Sequence, residues 1–311
     1  MPNLTREAYR SLYESLAQYE DVERLSREKG LDPELLMVIY THRVTRDATK
    51  RYYVVMKHVP RLLREWQRGK SYVALARELG FPPVLVAQMI EKHKQTSRRA
   101  FWDGFRHPEA IPDARLRREV LEVLENDWIY SPKGGEIQRE RGIKGEARLA
   151  GWLQRHGLTY RTEKDLRGKF SKTPDALLDH PVWIRGQRVS WIESKANFGD
   201  DVELRRNLRK QLEPYVRMFG EGIVVYWYGH IEGAQGIPGV QILDGDTFET
   251  LVPSGPPPGA SEEPLPHPSA PAPVTPAAPV SPPRKTAEEA SATPPARPRP
   301  RRPLVDRSAY F

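Results

Sequence analysis

A short apolar segment that carries two charged side chains constrains the fold of this chain more than any other feature. Residues 189–195, VSWIESK, are rich in β-branched and aromatic side chains and predict a strand. Side chains two residues apart lie on the same face of a strand, so Glu193 and Lys195 are neighbours. A carboxylate beside an ammonium on a mostly buried strand is unfavourable unless the pair has a chemical task. The segment therefore indicates a functional site built into a sheet.

A second carboxylate lies upstream of this strand. Asp175 ends the sequence TPD and precedes the apolar run ALL. A loop containing Gly186 and Gln187 separates this run from the strand and suits a hairpin, which would bring Asp175 next to Glu193. Two carboxylates and a lysine at one point suit a hard divalent cation and an activated water. The alternative is that Glu193 and Lys195 form a surface ion pair on an edge strand.

Four pieces of sequence follow one another between about Gly142 and Gly229. They are TPDALL, WIESKANFGD, the later Gln211 and GIVVYWYG. In this order and spacing they resemble the TPD-motif family of the PD-(D/E)XK nuclease superfamily, the family of the codanin-interacting nucleases, which is related to archaeal Holliday-junction resolvases. The resemblance covers under a third of the chain and implies an α/β restriction-endonuclease-like domain.

The resemblance also implies the residues of the site. Catalytic roles fall to Glu146, Asp175, Glu193, Lys195 and Gln211. The cation, Mg²⁺ or Mn²⁺, is expected to be held by oxygen ligands from Glu146, Asp175, Glu193 and the backbone carbonyl of Ser194. Lys195 would position or help to deprotonate a bound water, and Gln211 would lie near that water. For Glu146 the alternative is an ordinary exposed acid on a helix.

Further elements complete this domain, which is predicted to span residues 142–252. They are a first helix at 143–156, a first strand at 158–163 and one or two last strands at 240–251. The helix that carries Gln211 is predicted to begin near Asp201. It contains Pro214, which is expected to kink it, because a proline inside a helix removes a hydrogen bond.

The first 126 residues are predicted to be helical, because apolar side chains recur at helical spacing. A helix, a glycine turn and a second helix that begins with proline occur twice, at residues 19–40 and 69–93. A shift of fifty residues aligns six residues of the first copy with identical ones of the second: Leu25, Arg27, Glu28, Gly30, Pro33 and Leu35. This indicates tandem helix-turn-helix modules. The alternative is plain helix packing without nucleic acid.

Basic residues are concentrated in this helical region. Residues 42–77 contain ten Lys or Arg and only two acids, an excess that favours contact with phosphates. The formal net charge of the chain is +8, which also favours an acidic polymer as partner. The predicted nucleic-acid contacts are Lys70, Ser71, Gln88 and Lys92 in the helical region, and Lys169 and Lys172 in a basic loop before the TPD sequence.

Two segments lack the periodicity of a folded element. Residues 127–141 contain glycine and proline and are predicted to be a linker. Residues 253–311 hold eighteen of the thirty prolines and are predicted to be disordered, because they cannot bury enough apolar surface. The aromatic end of this tail, Tyr310-Phe311, is a candidate docking peptide for a protein partner. An inert terminus is the alternative.

Composition excludes several other classes of protein. Without cysteine the chain can have neither a disulfide framework nor a cysteine-type zinc finger. It has no run of about eighteen apolar residues, and its polar N-terminus does not resemble a signal peptide, so no membrane association is expected. The expected localisation is intracellular and soluble, cytoplasmic if the source is prokaryotic, and a homodimer is one expected assembly.

The sequence thus predicts a Mg²⁺- or Mn²⁺-dependent nuclease that hydrolyses phosphodiester bonds in DNA, structure-directed in repair or recombination. DNA is favoured over RNA because the superfamily and the helix-turn-helix modules both indicate it. One alternative is a catalytically silent DNA-binding regulator or scaffold, against which the presence of the signature residues, Asp175, Glu193 and Lys195 among them, argues. The other is an RNA-processing nuclease with the same site.

Overall fold

Helices make up the N-terminal part of the protein. The computed structural model describes residues 3–255, so the predictions for the tail at residues 256–311, its disorder and its docking peptide, lie outside the described residues. The helices that precede the sheet are α1 (Arg6–Ser15), α2 (Glu20–Lys29), α3 (Pro33–Met56), α4 (Val59–Gln67), α5 (Tyr72–Leu79), α6 (Pro83–His93), α7 (Arg98–Arg106), α8 (Ala114–Asn126) and α9 (Pro132–Arg155).

Local signals in the sequence account for where many of these helices begin and end. Side chains that accept a backbone N–H cap six of their N-termini: Thr5, Asp32, Ser71, Ser97, Asp113 and Ser131. Gly30 and Gly80 end α2 and α5 in the left-handed conformation, with φ of 64° and 54°, which glycine adopts without steric cost. The predicted helical region with its two glycine turns is therefore confirmed.

The second predicted helix-turn-helix differs in one respect from a module that reads a groove. The chain bends by 116° between α5 and α6, within the range of the motif. α6 would be its recognition helix, yet seven of its residues are buried, among them Val84, Val86 and Ile90. A helix that enters a groove has to present an exposed face. The helix-turn-helix assignment stays a prediction.

Within residues 3–255, no single helix is long and apolar enough to cross a membrane. The bent pair of α5 and α6 passes that test by length and composition, but most of its residues are buried inside the helical core.

The segment predicted as a linker is helical over most of its length. α9 begins within residues 127–141 and continues past them. The side chain of Ser131 caps this helix and Pro132 occupies its first turn, both favourable at a helix start. A Cβ on Gly134 would lie 2.5 Å from the carbonyl oxygen of Trp128, so this glycine serves close packing. The prediction of an aperiodic linker at residues 127–141 is therefore wrong. The division of the chain into domains stays a prediction.

A five-stranded mixed sheet follows the helical region. Its strands are, in spatial order, β1 (Tyr160–Thr162), β2 (Ala176–Ile184), β3 (Gln187–Lys195), β4 (Gly222–Tyr226) and β5 (Val240–Asp244). The remaining helices are α10 (Glu163–Leu166), α11 (Asp201–Asn207), α12 (Glu213–Phe219) and α13 (Gly245–Glu249). β1 runs antiparallel to β2, and β2 antiparallel to β3. β4 runs parallel to β3, and β5 parallel to β4. β3 therefore has a neighbour on each side, which excludes an ion pair on an edge strand.

β2 and β3 form the predicted hairpin. Both residues of the turn at 185–186 have positive φ, 53° and 76°, as a type I′ turn requires. Toward the other end of the hairpin Ala176 pairs with Ile192. This register brings Asp175 beside Glu193, as the sequence predicts.

Helices cover both faces of the sheet. On one face, Trp152 and Leu153 of α9 share a core cluster with Ile192. On the other face, Tyr215 of α12 packs in a cluster with Trp191. The sequence predicts one or two strands at residues 240–251; the structure has one, β5, followed by a helix, α13. The predicted helical region followed by an α/β domain is confirmed, and the assignment to the PD-(D/E)XK fold stays a prediction.

Candidate active site

Predicted site residues meet where β3 ends. Asp175 directly precedes β2, and its Oδ2 accepts a hydrogen bond from the backbone N–H of Ser194 at 2.7 Å. Lys195 Nζ donates to Glu193 Oε1 at 2.5 Å and to Gln211 Oε1 at 2.7 Å. The structure thus brings together four of the predicted residues: Asp175, Glu193, Lys195 and Gln211.

Glu193 is buried and only half satisfied. Its side chain is 4% exposed, and Oε2 has no hydrogen-bond partner among the described residues. A carboxylate oxygen that loses its hydration without gaining a partner is costly. An oxygen of this kind is suited to bind a cation or an ordered water.

The charge of Glu193 disfavours the ionised form of Asp175. Burial raises the pKa of Asp175 to about 7, and the charge of Glu193 adds to the effect. The N–H of Ser194 acts in the opposite direction but does not outweigh them. A divalent cation would favour both ionised forms, and a set of carboxylate oxygens is the kind of ligand that Mg²⁺ and Mn²⁺ prefer. The residues present therefore fit the predicted metal.

Glu146 is not assembled with these two acids. Its side chain is exposed on α9, and its pKa is raised first by desolvation and then by the charge of Asp175. In the part of the chain that the structure describes, no group of three or more His, Asp or Glu side chains is arranged to hold a metal ion. Glu146 can join Asp175 and Glu193 only through water or after a side-chain movement, and its role stays a prediction.

Gly145 sets how closely α9 approaches the site. A Cβ on Gly145 would lie 2.6 Å from Cδ1 of Trp227 and 3.2 Å from Oγ of Ser194. Trp227 Nε1 in turn donates to Oγ of Ser194 at 2.7 Å. Sequence reasoning missed both Gly145 and Trp227. A glycine inside an amphipathic helix was the available signal, because it marks a close approach.

Gln211 lies in an irregular turn of its helix. α11 and α12 are joined by a π-helical turn, Leu208–Leu212, and Pro214 falls in the first turn of α12. Proline has no N–H to donate, and the wider turn accommodates it at a helix start. The structure thus has a π-helical turn where a kink was expected. Gln211 reaches Lys195 from this turn.

Tyr215 is a further residue of the site that sequence reasoning did not assign to it. Its hydroxyl donates to the carbonyl oxygen of Thr173 at 2.7 Å, which holds the segment that carries Asp175. Burial raises the pKa of Tyr215, and the charges of Glu193 and Asp175 add to this. A tyrosine in an apolar helix stripe was the signal, because a buried hydroxyl needs a partner.

The predicted nucleic-acid contacts lie in two places. Those on or beside α5 and α6 are Lys70, Ser71, Gln88 and Lys92, and those in the loop before β2 are Lys169 and Lys172. Lys70 Nζ is paired with Glu65 and Glu78, and the Ser71 hydroxyl caps α5. Lys172 donates a hydrogen bond to a backbone carbonyl of the π-helical turn. Contact of these six residues with nucleic acid stays a prediction.

The second half of WIESKANFGD binds the N-terminal helices. Phe198 stacks on Tyr9 of α1 with ring centroids 5.2 Å apart. Asp200 accepts two hydrogen bonds from Arg46 of α3, at 2.5 and 2.9 Å, and one from the hydroxyl of Tyr9. The segment that carries Glu193 is therefore joined directly to the helical region. Sequence reasoning missed this contact.

Comparison with known proteins places this site in a family. Residues 112–245 match the family described as "Protein of unknown function TPD sequence-motif". CDAN1-interacting nuclease 1 of Mus musculus is 37% identical over 166 residues, and that of Homo sapiens 36% over 166 residues. Both matches cover 51% of this chain and 59% of the relative, so the chain spans less than two thirds of their length. No solved structure matches.

The match to a frog relative is longer. CDAN1-interacting nuclease 1 of Xenopus laevis is 34% identical over 220 residues, which cover 67% of this chain and 71% of the relative. The matched family region also contains every residue of the candidate site, from Glu146 to Trp227. We conclude that this chain belongs to the TPD sequence-motif family that includes CDAN1-interacting nuclease 1.

Proposed function

We propose that this chain is a Mg²⁺- or Mn²⁺-dependent nuclease of the PD-(D/E)XK type that hydrolyses phosphodiester bonds in DNA. The observation that carries the proposal is the half-buried Asp175 together with the buried Glu193, one of whose carboxylate oxygens has no partner among the described residues, beside Lys195. Such a pair supplies oxygen ligands for a cation and a positive charge for a phosphate. The relatives are named as nucleases, which supports the same activity here.

Each side chain of the site has a separate task in this proposal. The ligands of the cation would be Asp175, Glu193, the carbonyl of Ser194 and, through water, Glu146. The cation, when bound, lowers the pKa of a coordinated water and offsets charge on the phosphate. Glu193 and Gln211 both accept from Lys195 and so hold its ammonium in place. This ammonium positions the attacking water and offsets the negative charge that grows on the phosphate oxygens.

DNA is the proposed substrate, in repair or recombination, and RNA is the competing one. The excess of Lys and Arg in residues 42–77 supports a nucleic acid of either kind. The resemblance to junction resolvases favours structured DNA, by analogy of fold alone. The names of the relatives record an interaction with CDAN1, and a protein partner for this chain is part of the same proposal.

The test compares the wild-type protein with Asp175→Asn and Glu193→Gln. Labelled single-stranded, duplex, flap and four-way DNA, and RNA, are incubated with each protein in Mg²⁺, in Mn²⁺ and in EDTA. Each variant should lose on the order of 10²-fold or more in rate, because it loses a charged ligand but keeps its shape. Asp179→Asn is the matched control, since Asp179 is exposed on β2 and pairs with Arg161.

Each alternative has its own outcome in this assay. Near wild-type turnover by either site variant in Mg²⁺ would show that the metal site is wrongly assigned. Binding without cleavage of any substrate by the wild-type protein would favour the DNA-binding scaffold. Cleavage of RNA alone would favour the RNA-processing enzyme.

A further inference from the structure

A cleft of about 810 Å³ opens along α3. Its walls come from three separate parts of the chain: α3 with the end of α1, the turn between α5 and α6, and residues 126–129. None of the residues proposed for catalysis lines it. The cleft is therefore distinct from the carboxylate site.

Three cations line the cleft without a carboxylate partner among residues 3–255, and we call them the cleft cations: Arg43, Lys50 and Arg77. Two backbone carbonyls near the end of α1 accept hydrogen bonds from Arg43, at 2.9 and 2.5 Å. Arg77 donates to the side-chain oxygen of Asn126 at 3.3 Å, and Lys50 is exposed. Neutral oxygens orient a cation without cancelling its charge. These charges are therefore available to an anion.

The two acids that line the cleft are already engaged. Asp47 is paired with Arg51 at 2.8 Å. Asp127 accepts hydrogen bonds from three backbone N–H groups at 2.7 to 3.1 Å, and burial raises its pKa. A further lining cation, Arg46, is paired with Asp200. The remaining charge of the cleft is positive and favours an anionic ligand.

Aromatic rings stand among these cations. Tyr13, Tyr40 and Trp128 line the cleft, and each is half-buried, so that part of its surface stays accessible. Trp128 stacks on Tyr19 with ring centroids 4.4 Å apart, and Lys133 Nζ lies over its ring at 4.2 Å from the centroid. Tyr13 and Tyr40 are therefore the rings left for a stacked base. Rings beside cations are the combination that binds a nucleic-acid strand, because bases stack on the rings while phosphates contact the cations.

We propose that this cleft binds an unpaired strand of nucleic acid, with phosphates on the cleft cations and bases against the rings. The inference rests on the proposed function, in that the substrate is a nucleic acid. A cleft of about 810 Å³ has the size of a site for one small organic ligand, on the order of one or two nucleotides. A duplex is instead read by an element that protrudes into its groove. Arg46 links the cleft to the catalytic segment, because it lines the cleft and binds Asp200.

The experiment measures strand binding without cleavage. Fluorescence anisotropy follows a labelled oligothymidine of about 12 nucleotides, within the range of known strand-binding sites, in EDTA. The cleft variant Lys50→Glu/Arg77→Glu is compared with the wild-type protein and with Arg118→Glu/Arg139→Glu, whose residues lie outside the basic stretch at 42–77. The latter makes the same charge change at exposed residues outside the cleft. Urea unfolding of all three proteins checks that the fold is retained.

The cleft variant should bind at least about tenfold more weakly than the wild-type protein at about 0.15 M salt. Its log–log salt slope should be smaller by about 1.4, or about 0.7 for each lost phosphate contact on a single strand. The wild-type protein should bind an abasic strand of the same length about tenfold more weakly than oligothymidine, because no base can stack. The cleft variant should lose much less affinity for a blunt duplex than for the single strand.

Three results would overturn the inference: equal strand affinity of the cleft and control variants, equal affinity of the wild-type protein for the abasic strand and oligothymidine, or equal losses for duplex and strand. Failure of the proposed function is distinguishable from these. A wild-type protein that cleaves no substrate, with strand binding lost in the cleft variant, contradicts the nuclease and supports the cleft. Normal cleavage by the wild-type protein, with unchanged strand binding in the cleft variant, supports the nuclease and contradicts the proposed role of the cleft.

Discussion

Replacing Asp200 with asparagine is expected to lower the free energy of unfolding by about 2 to 3 kcal/mol. The side chain of Asp200 is 2% exposed and that of its partner Arg46, on α3, is 19% exposed. The same carboxylate caps α11 by accepting the backbone N–H groups of Val202 and Glu203. Asp200 thus joins the helical region to the helix that follows the candidate site.

The magnitude follows from what asparagine loses and what it keeps. Removing one charge of a buried ion pair typically costs about 3 to 5 kcal/mol, because the other charge stays buried without its partner. Here Glu203 Oε1 lies 3.4 Å from Arg46 Nη2 and would retain part of the compensation. Asparagine also keeps an oxygen that can cap α11, so the capping contribution of about 1 kcal/mol is largely preserved. Both effects reduce the expected loss.

The loss should also depend on pH. Burial acts to raise the pKa of Asp200, but His42 and Arg46 outweigh it, so the pKa lies well below its usual range. A carboxyl group whose pKa is lowered on folding stabilises the protein above its unfolded pKa, about 3.9, and loses this contribution as the pH falls toward the folded pKa. The difference between wild type and Asp200→Asn should therefore be constant from neutral pH to about pH 5 and shrink below about pH 4.

Urea unfolding followed by tryptophan fluorescence, at pH 7 and at several lower values, measures this difference. Asp201→Asn is the matched control, because Asp201 is the next residue but pairs with Arg6 at the surface, with side chains 41% and 52% exposed. Exposed ion pairs contribute little to stability. If Asp200→Asn were as stable as Asp201→Asn at pH 7, the buried pair would not hold the two parts of the chain together.

In metal-free buffer, Asp175 should contribute a loss of stability to the wild-type protein as the pH rises from about 4 to about 7, because folding raises the pKa of Asp175 to about 7. Asp175→Asn lacks this loss and should be more stable than wild type at pH 8 by up to about 4 kcal/mol in urea unfolding; equal stability would contradict the raised pKa. Gly145→Ala should cost about 1 to 3 kcal/mol and slow cleavage, because the new Cβ would lie 2.6 Å from Trp227. Gly142→Ala, where a Cβ has nothing within 4 Å, should neither lose stability nor slow cleavage. Deleting residues 256–311 should leave cleavage at physiological salt unchanged, since every candidate site residue precedes them; loss of most turnover would assign the tail a part in the site.

Local residue patterns determined the parts of the protein that depend on near neighbours in the chain. A cap such as Ser71, a turn such as Gly80 and the β-branched strand β3 act over a few residues, and these elements were predictable for that reason. The pair of site carboxylates was predictable too. A two-residue turn joins the two strands into a hairpin, but the register that places Asp175 beside Glu193 also depends on an irregularity in the pairing between Leu177 and Val182, which only the structure shows.

Only the tertiary structure decided the contacts between distant segments. Asp200 and Arg46 are separated by 154 positions, and no periodicity indicates that they meet. α9 passes through the expected linker because Gly134 packs closely on the preceding loop, which outweighs the low helix propensity of glycine. Gln211 reaches its partner from a π-helical turn, and the cleft along α3 exists only where separate segments pack together. In each case the deciding free energy comes from packing between residues far apart in the chain, which local propensity does not contain.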